Sequence, residues 1–329
     1  MLYWKEHGSK AINKGQVASS LRQFISFLDQ DKVTIAVTVE QLTIDVFRRF
    51  IRWRTNPHSY EILWQGKEYT HASDGVSGES ISRNLDDVRA ALNHQVNEGR
   101  LIFVPKIPGV PTDMRSPARD VTLTYEQMGA ILGYAWDDPE PRAWILGMLA
   151  TAARPDAVLK WNIKEQWKGG PLFNTHPHKA PRTKKRNAVV PVIPPFVRWL
   201  KEWQVRPRET AVSRKTWWRT MREQLDLPVE IVPKTIRHTV ATELRAKGVP
   251  QLDVEGLLGH LMSNRTTAVY AKYDPARLSL AKQGLEEIWR DVWREARKWR
   301  ASHLRTTQAR GRPLSVTLKE EKTNVSIGL

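Results

Sequence analysis

The chain has no cysteine, no long apolar run and far fewer acidic than basic residues. The absence of cysteine excludes disulfide bonds, thiolate zinc sites and cysteine nucleophiles, and it fits a reducing compartment. No apolar stretch approaches the roughly 20 residues that a membrane-spanning helix needs, and the first residues lack the apolar core of a signal peptide. We therefore predict a cytoplasmic protein.

Basic residues are in large excess. The 52 Lys and Arg against 35 Asp and Glu give a formal net charge of +17 over 329 residues and a pI near 10.1. Such an imbalance favours a polyanionic partner, and double-stranded DNA is the first candidate. The alternative is an unusually basic surface with no such partner. A chain of this length more naturally forms two domains than one.

The first third of the chain has the apolar spacing of helices over residues 17–28, 42–51 and 81–96. Thr38 and Gln41 are spaced as a capping box for the second helix. Residues between the second and third helices are polar and irregular, which predicts a loop over 55–78. The second helix also carries a face of arginines that we predict to contact the DNA backbone, with a solvated surface as the alternative. These residues are Arg48, Arg49, Arg52 and Arg54.

Four prolines and a glycine lie between residues 103 and 119, which is the composition of a linker. We place the domain boundary in this segment. The prediction is a helical DNA-binding domain over residues 1–110, a second domain over 111–300 and a polar, disordered tail over 301–329.

The second domain is predicted to be helical with one small sheet. Thr124 and Gln127 form a possible capping box, and a helix ending near residue 153 leads to Arg154. Residues 187–193 have the pattern of a strand beside a lysine-rich hairpin. The remaining helices are predicted over 213–225, 234–247 before Gly248, 251–258 before Gly259, a segment holding Tyr270, and an amphipathic stretch over 278–300.

Basic side chains and one phenol are concentrated in 37 residues. A phosphodiester is anionic, and displacement at phosphorus adds charge to its non-bridging oxygens, so forked cationic donors suit it. A tyrosine, with a pKa of about 10, needs a base or nearby cations to become nucleophilic. A phosphotyrosine link keeps the bond energy, so no cofactor, metal or ATP is expected. The motifs are Lys234-Thr-Ile-Arg237-His-Thr, Leu257-Leu-Gly-His260 and Thr266-Thr-Ala-Val-Tyr270.

These motifs, with Ala153-Arg154-Pro-Asp-Ala-Val-Leu-Lys-Trp before them, resemble those of the tyrosine recombinases, the phage-integrase family. The resemblance covers residues 120–280, and the helical module before it resembles the family's core-binding domain. It implies a mainly α fold: an N-terminal helical, SAM-like core-binding domain and a C-terminal α-rich catalytic domain with a small antiparallel β-sheet, of the DNA breaking-rejoining type. It also implies site-specific recombination of DNA through a covalent 3′-phosphotyrosine.

The resemblance implies a role for each matching residue. Arg154 and Arg237 would clamp the non-bridging oxygens of the scissile phosphate, and Lys184 would protonate the departing 5′ oxygen. His260 would help to stabilise the transition state, and Tyr270 would be the nucleophile.

The chain departs from the family pattern in three places. Lys234 stands where histidine is more common, and a lysine is a poor base unless its pKa of about 10.4 is lowered. The acid usual three positions after the first arginine is missing, with Asp156 two positions after it instead. The hairpin offers several basic residues, so Lys185 is an alternative to Lys184, and Lys185 and Arg186 are also predicted DNA contacts.

Structural roles remain open for the same residues. Arg154 could cap the end of its helix, since arginine is common there, and Lys234 and Arg237 could be solvated on one helix face. Tyr270 could be a core aromatic, with Tyr273 as a second phenol. The 14 tryptophans are expected in the core or at interfaces rather than stacked on bases.

Two further functions share these motifs: a catalytically silent DNA-binding regulator, and a type IB topoisomerase-like nicking and closing enzyme. For the recombinase the expected assembly is a homo-oligomer on DNA, a dimer on one site and a tetramer in the synapse. The amphipathic stretch over 278–300 packs either on its own domain or on a neighbouring protomer.

Overall fold

The computed structural model describes residues 2–31, 38–115, 120–180, 187–260 and 274–309. The chain divides into two units, Met1–Arg119 and Asp120–Leu329. Among the described residues, no helix combines the length and apolar character that crossing a membrane requires.

The first unit is built on helices that bury their apolar faces against one another. Aromatic rings from two of them interlock, with Phe24 stacked on Phe47 at 5.6 Å between ring centroids, and Ile81 from a third is fully buried. This packing confirms the three helices that the apolar spacing predicts. The elements are α1 (Leu2–Glu6), α2 (Lys14–Gln30), α3 (Ile44–Thr55), β1 (His58–Trp64), β2 (Lys67–Ser73) and α4 (Gly78–Asn97).

The predicted loop over 55–78 is wrong, because β1 and β2 form an antiparallel hairpin there. Gln65 and Gly66 both have positive φ, 54° and 76°, which is the geometry of a two-residue turn that matches strand twist. Tyr60 and Trp64 point inward and are buried. The glutamine at the first turn position hides this signal, since asparagine or aspartate is usual there.

The start of α3 differs from the sequence prediction, and the end of α4 has a common helix-ending conformation. The side chain of Gln41 accepts from the N–H of Thr38 at 2.9 Å, but this box caps a short 3₁₀ helix, Val39–Gln41. The prediction that it caps α3 is wrong, because α3 begins only at Ile44 after Thr43. At the end of α4, Gly99 has φ 70°, the left-handed conformation that is common for the residue after a helix.

The second unit is helical with one small sheet, as predicted. Thr124 and Gln127 form the predicted capping box, and β3 pairs antiparallel with β4. Its elements are α5 (Tyr125–Tyr134), α6 (Pro139–Thr151), α7 (Pro155–Val158), α8 (Ile163–Gln166), β3 (Leu172–Asn174), β4 (Val189–Pro191), α9 (Pro194–Val205), α10 (Lys215–Gln224), α11 (Pro233–Ala246), α12 (Gln251–Leu258) and α13 (Ser279–Ala309).

Helix α13 packs on its own unit through the predicted apolar face. Leu285, Ile288 and Val292 are fully buried, whereas Leu280 is half-exposed and does not belong to this face. Two glycines of α5 allow close approach: a Cβ on Gly129 would lie 2.4 Å from Glu295 Cβ, and one on Gly133 would clash with a tryptophan ring of α13.

The prediction that a disordered tail begins at residue 301 places its start too early. Helix α13 continues to Ala309, because local bonds extend its last turns: Ser302 donates to the carbonyl of Trp299, and the ring of His303 stacks on that of Trp299 at 3.8 Å. Residues 310–329 lie outside the described residues.

Buried indoles support the prediction of tryptophans in the core. Trp144, Trp161 and Trp218 are almost fully buried, and each satisfies its ring N–H by donating to a main-chain carbonyl at 3.0 Å. Because an unpaired buried N–H is costly, these bonds fix the rings and the elements on which they pack.

Candidate active site

Arg154 lies at the elbow between α6 and α7. Ala152 ends α6 in the left-handed region, with φ 49° and ψ 25°, and Ala153 N–H bonds back to the hydroxyl of Thr151 at 3.2 Å. The chain then extends, and Arg154 becomes the residue before α7, with Pro155 at the first helical position. The alternative that Arg154 ends its helix is wrong, because Arg154 lies beyond the end of α6 and directly before α7.

Arg237 is buried in α11, and its guanidinium is held at both ends. One amino group, Nη1, donates to the carbonyl of Ala152 at 2.6 Å, and the other, Nη2, donates to the carbonyl of Leu258 at 2.6 Å. Burial, together with the positive charge of Arg154, lowers the pKa of Arg237 to about 10. The alternative of a solvated Arg237 is therefore wrong.

His260 follows the left-handed end of α12. Gly259 has φ 67°, and His260 N–H bonds to the carbonyl of Glu255 at 2.9 Å, the six-to-one bond of a Schellman motif. Burial lowers the pKa of His260, and the charges of Arg237 and Arg154 lower it further. The neutral form of the His260 imidazole is thus favoured.

Lys234 is the exposed member of the group. It lies in the first turn of α11, one turn before Arg237, and its charge is among those that lower the pKa of His260. The first turn of a helix presents free N–H groups as well, so Lys234 and the α11 N-terminus both favour an anion.

Arg237 brings the other two residues together. Its two acceptors, Ala152 and Leu258, each lie two positions before a predicted site residue, Arg154 and His260 respectively. The charge of Arg154 lowers the pKa of Arg237, and both charges lower the pKa of His260, which agrees with one shared neighbourhood. Like charges at close range repel one another, and an anion bound among them would relieve that repulsion.

Sequence reasoning missed one residue of this neighbourhood, Asn187. Arg154 Nη1 donates to Oδ1 of Asn187 at 3.5 Å. Asn187 lies two positions before β4. No motif includes this asparagine, and the only available signal was its place at the end of the lysine-rich hairpin. Asp156, the acid two positions after Arg154, is exposed.

Several predicted residues lie outside the described residues. Lys184, Lys185, Arg186, Tyr270 and the alternative nucleophile Tyr273 all belong to this group, and their roles stay predictions.

The arginines of α3 do not form one face. Arg48 and Arg52 are exposed, whereas Arg49 pairs with Asp31 at 2.9 Å and also with Asp45. Arg54 is buried and donates to the side-chain oxygen of an asparagine in α4. The assignment of Arg54 to a common exposed face is therefore wrong, because the hairpin and α4 cover it.

Solved structures share this architecture. The integrase of the Tn1549 transposon (aa 82–397), in complex with circular intermediate DNA, superposes with a TM-score of 0.52 at 16% sequence identity, covering 83% of this chain and 95% of that one. The XerH site-specific recombinase bound to its difH substrate gives a TM-score of 0.51 at 15% identity, covering 84% and 79%. The chain has the tyrosine recombinase fold. No protein-family model and no curated protein matches the sequence.

The predicted fold class is thus confirmed. Within the tyrosine recombinase fold of this chain, Arg154, Arg237 and His260 come from three separate elements, and the described part of the structure brings all three to one place.

Proposed function

We propose that this chain is a site-specific DNA recombinase that cleaves and rejoins DNA through a covalent 3′-phosphotyrosine. The observation that carries the proposal is the pair of hydrogen bonds from Arg237 to the carbonyls of Ala152 and Leu258. These two bonds bring the segments that carry Arg154 and His260 into one cationic neighbourhood. One phosphodiester needs such a set of donors around its non-bridging oxygens.

In the proposed reaction, Tyr270 Oη attacks the scissile phosphorus and the bond from phosphorus to the 5′ oxygen breaks. Lys184 gives a proton to the departing oxygen, and the phenol proton passes to a base, for which Lys234 is the candidate by its place in the motif. Arg154, Arg237 and His260 stabilise the charge on the non-bridging oxygens. A 5′ hydroxyl from a second strand reverses these steps and restores the free tyrosine.

The DNA partner follows from charge as well as from the site. The net charge of +17 favours a polyanion, and both similar structures were solved with DNA. We assign DNA-backbone contacts to Arg48 and Arg52 of α3, which are exposed, and to Lys185 and Arg186. Arg49 is a weaker candidate, because Asp31 already pairs with it.

The proposed assembly is a dimer of this chain on one DNA site and a tetramer when two sites are joined, because strand exchange needs two cleaved duplexes. The first unit acts as the core-binding domain and the second as the catalytic domain. The proposed site of action is the cytoplasm.

A nicked suicide substrate tests the proposal directly. The full chain is incubated with a duplex taken from the end of its genetic element, nicked so that cleavage releases a short oligonucleotide, and the mixture is denatured. We expect a covalent protein–DNA adduct from the wild type and from Tyr273→Phe, and none from Tyr270→Phe. An adduct that survives Tyr270→Phe would overturn the assignment of the nucleophile.

The same assay separates the alternative functions. DNA binding without any adduct would favour a silent regulator. An adduct without exchange of strands between two sites would favour a nicking and closing enzyme. Strand exchange between two labelled sites supports the recombinase.

A further inference from the structure

Two polar side chains beside the small sheet, Asn187 and His176, form a series of contacts that ends on Arg154. Arg154 Nη1 donates to Oδ1 of Asn187 at 3.5 Å, and Nδ2 of the same amide lies 3.3 Å from Nδ1 of His176. The other ring nitrogen of His176, Nε2, lies 3.0 Å from the carbonyl oxygen of Ala180. These contacts form one continuous chain from a main-chain carbonyl to the guanidinium.

Donors and acceptors along this series of contacts can be assigned in only one direction. A carbonyl can only accept, so Nε2 of His176 carries the proton, and in a neutral imidazole Nδ1 is then an acceptor. The amide of Asn187 therefore turns its N–H toward His176 and its oxygen toward Arg154. A flipped amide would set its N–H group against the donor of Arg154 and its oxygen against the unprotonated Nδ1 of His176, so both neighbours select the same orientation of Asn187.

Strand pairing fixes this pair of residues. The register of the sheet sets Asn174 opposite Val189, and Thr175 N–H continues the ladder with a 3.0 Å bond to the carbonyl of Ala188. Extending that register by two positions sets His176 opposite Asn187, and their side chains lie 3.3 Å apart. Because successive pairs of an antiparallel ladder are held at fixed separation, their side chains are aligned by the backbone.

The sheet end is itself anchored to the core. Trp161, almost fully buried, donates its ring N–H to the carbonyl of Thr175 at 3.0 Å, and Gln166 donates to the carbonyl of Asn174 at 2.8 Å. The sheet beside Asn187 is thus hydrogen-bonded to Trp161 and to α8, which follow Arg154 closely in the chain. Such support is what holds a functional side chain in one orientation.

We propose that Asn187, oriented by His176, is a positioning residue for Arg154. It holds one edge of the guanidinium by accepting from Nη1. The inference rests on the proposed function. Ala180 and Asn187 also flank residues 181–186, which contain the predicted general acid Lys184, so the same contacts tie both flanks of that segment to Arg154.

Matched substitutions separate orientation from folding. Asn187→Leu keeps the size of the side chain and removes the acceptor, whereas Asn187→Asp keeps an acceptor for Arg154. Gln224→Leu, at an exposed position at the end of α10, is the control. For each we would measure the rate of adduct formation in a single turnover at saturating protein, and separately the affinity for the same DNA.

We expect Asn187→Leu to slow adduct formation about tenfold or more, because a misplaced catalytic group is costly, with DNA affinity within about twofold of the wild type. Asn187→Asp should recover most of the rate, and Gln224→Leu should match the wild type. Equal defects in Asn187→Leu and Asn187→Asp, or a wild-type rate in Asn187→Leu, would overturn the proposal.

A second measurement needs no cleavage. In ¹⁵N NMR spectra, rotation of the Arg154 guanidinium about its Nε–Cζ bond can be timed, with Arg154→Lys to assign the signal. We expect faster rotation in Asn187→Leu and in His176→Phe, and no further change when both are combined, since they interrupt the same contacts. An unchanged rotation rate would refute the inference. A wild type that forms no adduct would instead refute the proposed function, and the rotation rate would still decide the role of Asn187.

Discussion

Arg237 and Ala152, 85 positions apart in the chain, are joined by a 2.6 Å bond from a buried guanidinium to a main-chain carbonyl. Ala152 offers that carbonyl because it ends α6 in a left-handed conformation. The bond therefore links the α6–α7 elbow, which carries Arg154, to the helix that carries Lys234. The second bond of Arg237, to Leu258, adds the end of α12. A residue assigned to catalysis is thus also a structural clamp.

Replacing Arg237 should affect both roles. A lysine cannot bond two separated carbonyls as the fork does, so Arg237→Lys leaves a buried acceptor unpaired and should lower the free energy of unfolding by about 1–3 kcal/mol. Loss of a forked donor should also slow adduct formation by about 10²–10³-fold. Urea unfolding and the suicide substrate measure the two effects. Arg245→Lys, an exposed position on the same helix, should change neither, and an equally stable Arg237→Lys would contradict the clamp.

The pKa of His260 should respond to its neighbours. Burial and the charges of Arg237 and Arg154 place it below 6.5, so Arg154→Ala should raise it by removing one positive charge. Binding of DNA should raise it as well, because a phosphate reverses the sign of the local field. Histidine NMR titration measures both shifts. No change in Arg154→Ala would show that the two groups are not neighbours.

The same lowered pKa predicts a pH dependence of stability. Because the folded state holds the pKa of His260 below its unfolded value of about 6.5, the unfolded state binds more protons as the pH falls through that region, and stability falls with it. His58 and His71 have lowered pKa values too. The prediction therefore concerns a difference: in urea unfolding, His260→Gln should lose less stability than the wild type between about pH 7.5 and 5.5.

Close packing of α5 on α13 predicts a strong effect of one methyl group. A Cβ at Gly129 would lie 2.4 Å from Glu295 Cβ and 2.7 Å from its backbone carbon, so the two helices must separate. Gly129→Ala should lower the free energy of unfolding by about 1–3 kcal/mol, as measured in urea. At Gly170 a Cβ meets nothing within 4 Å, and Gly170→Ala should leave stability unchanged.

Two arginines of α3 should behave oppositely. Arg54 is buried and its partners are Asn84 and His58, so Arg54→Ala should destabilise the first unit by about 1–3 kcal/mol. Arg52 is exposed, so Arg52→Ala should change stability by less than about 0.5 kcal/mol. If Arg52 contacts a phosphate, its loss should also reduce the slope of log affinity against log salt by about 1. An unchanged slope would remove Arg52 from the interface.

Local spacing predicted most helices because their information is local. The apolar positions of α2 and α4 recur every three or four residues, and glycines with positive φ end α4 and α12. The β1–β2 hairpin was missed. Tyr60 and Trp64 are buried on one face of it, and this one-sided burial becomes visible only when the rest of the unit covers that face. The length of α13 was underestimated because its last turns are held by local contacts around Trp299 and not by the apolar face that the spacing shows.

The sequence proposes the cations of the candidate site but gives no sign of the groups that hold them. Arg154, Lys234, Arg237 and His260 stand in motifs whose residue types already indicate an anion. Asn187 and the carbonyls of Ala152 and Leu258 carry no such chemistry in the sequence, since an amide and a backbone acquire a role only through what they face.

The sequence alone determined which segments become helices and which charged side chains are the candidates for the site, because residue type and periodicity are local properties of the chain. Tertiary structure alone decided that Arg237 is buried and clamped, that Arg54 is covered, and that Asn187 meets Arg154. Those outcomes depend on which distant backbone groups and side chains come within bonding distance, and the distance between them is fixed only when the units pack.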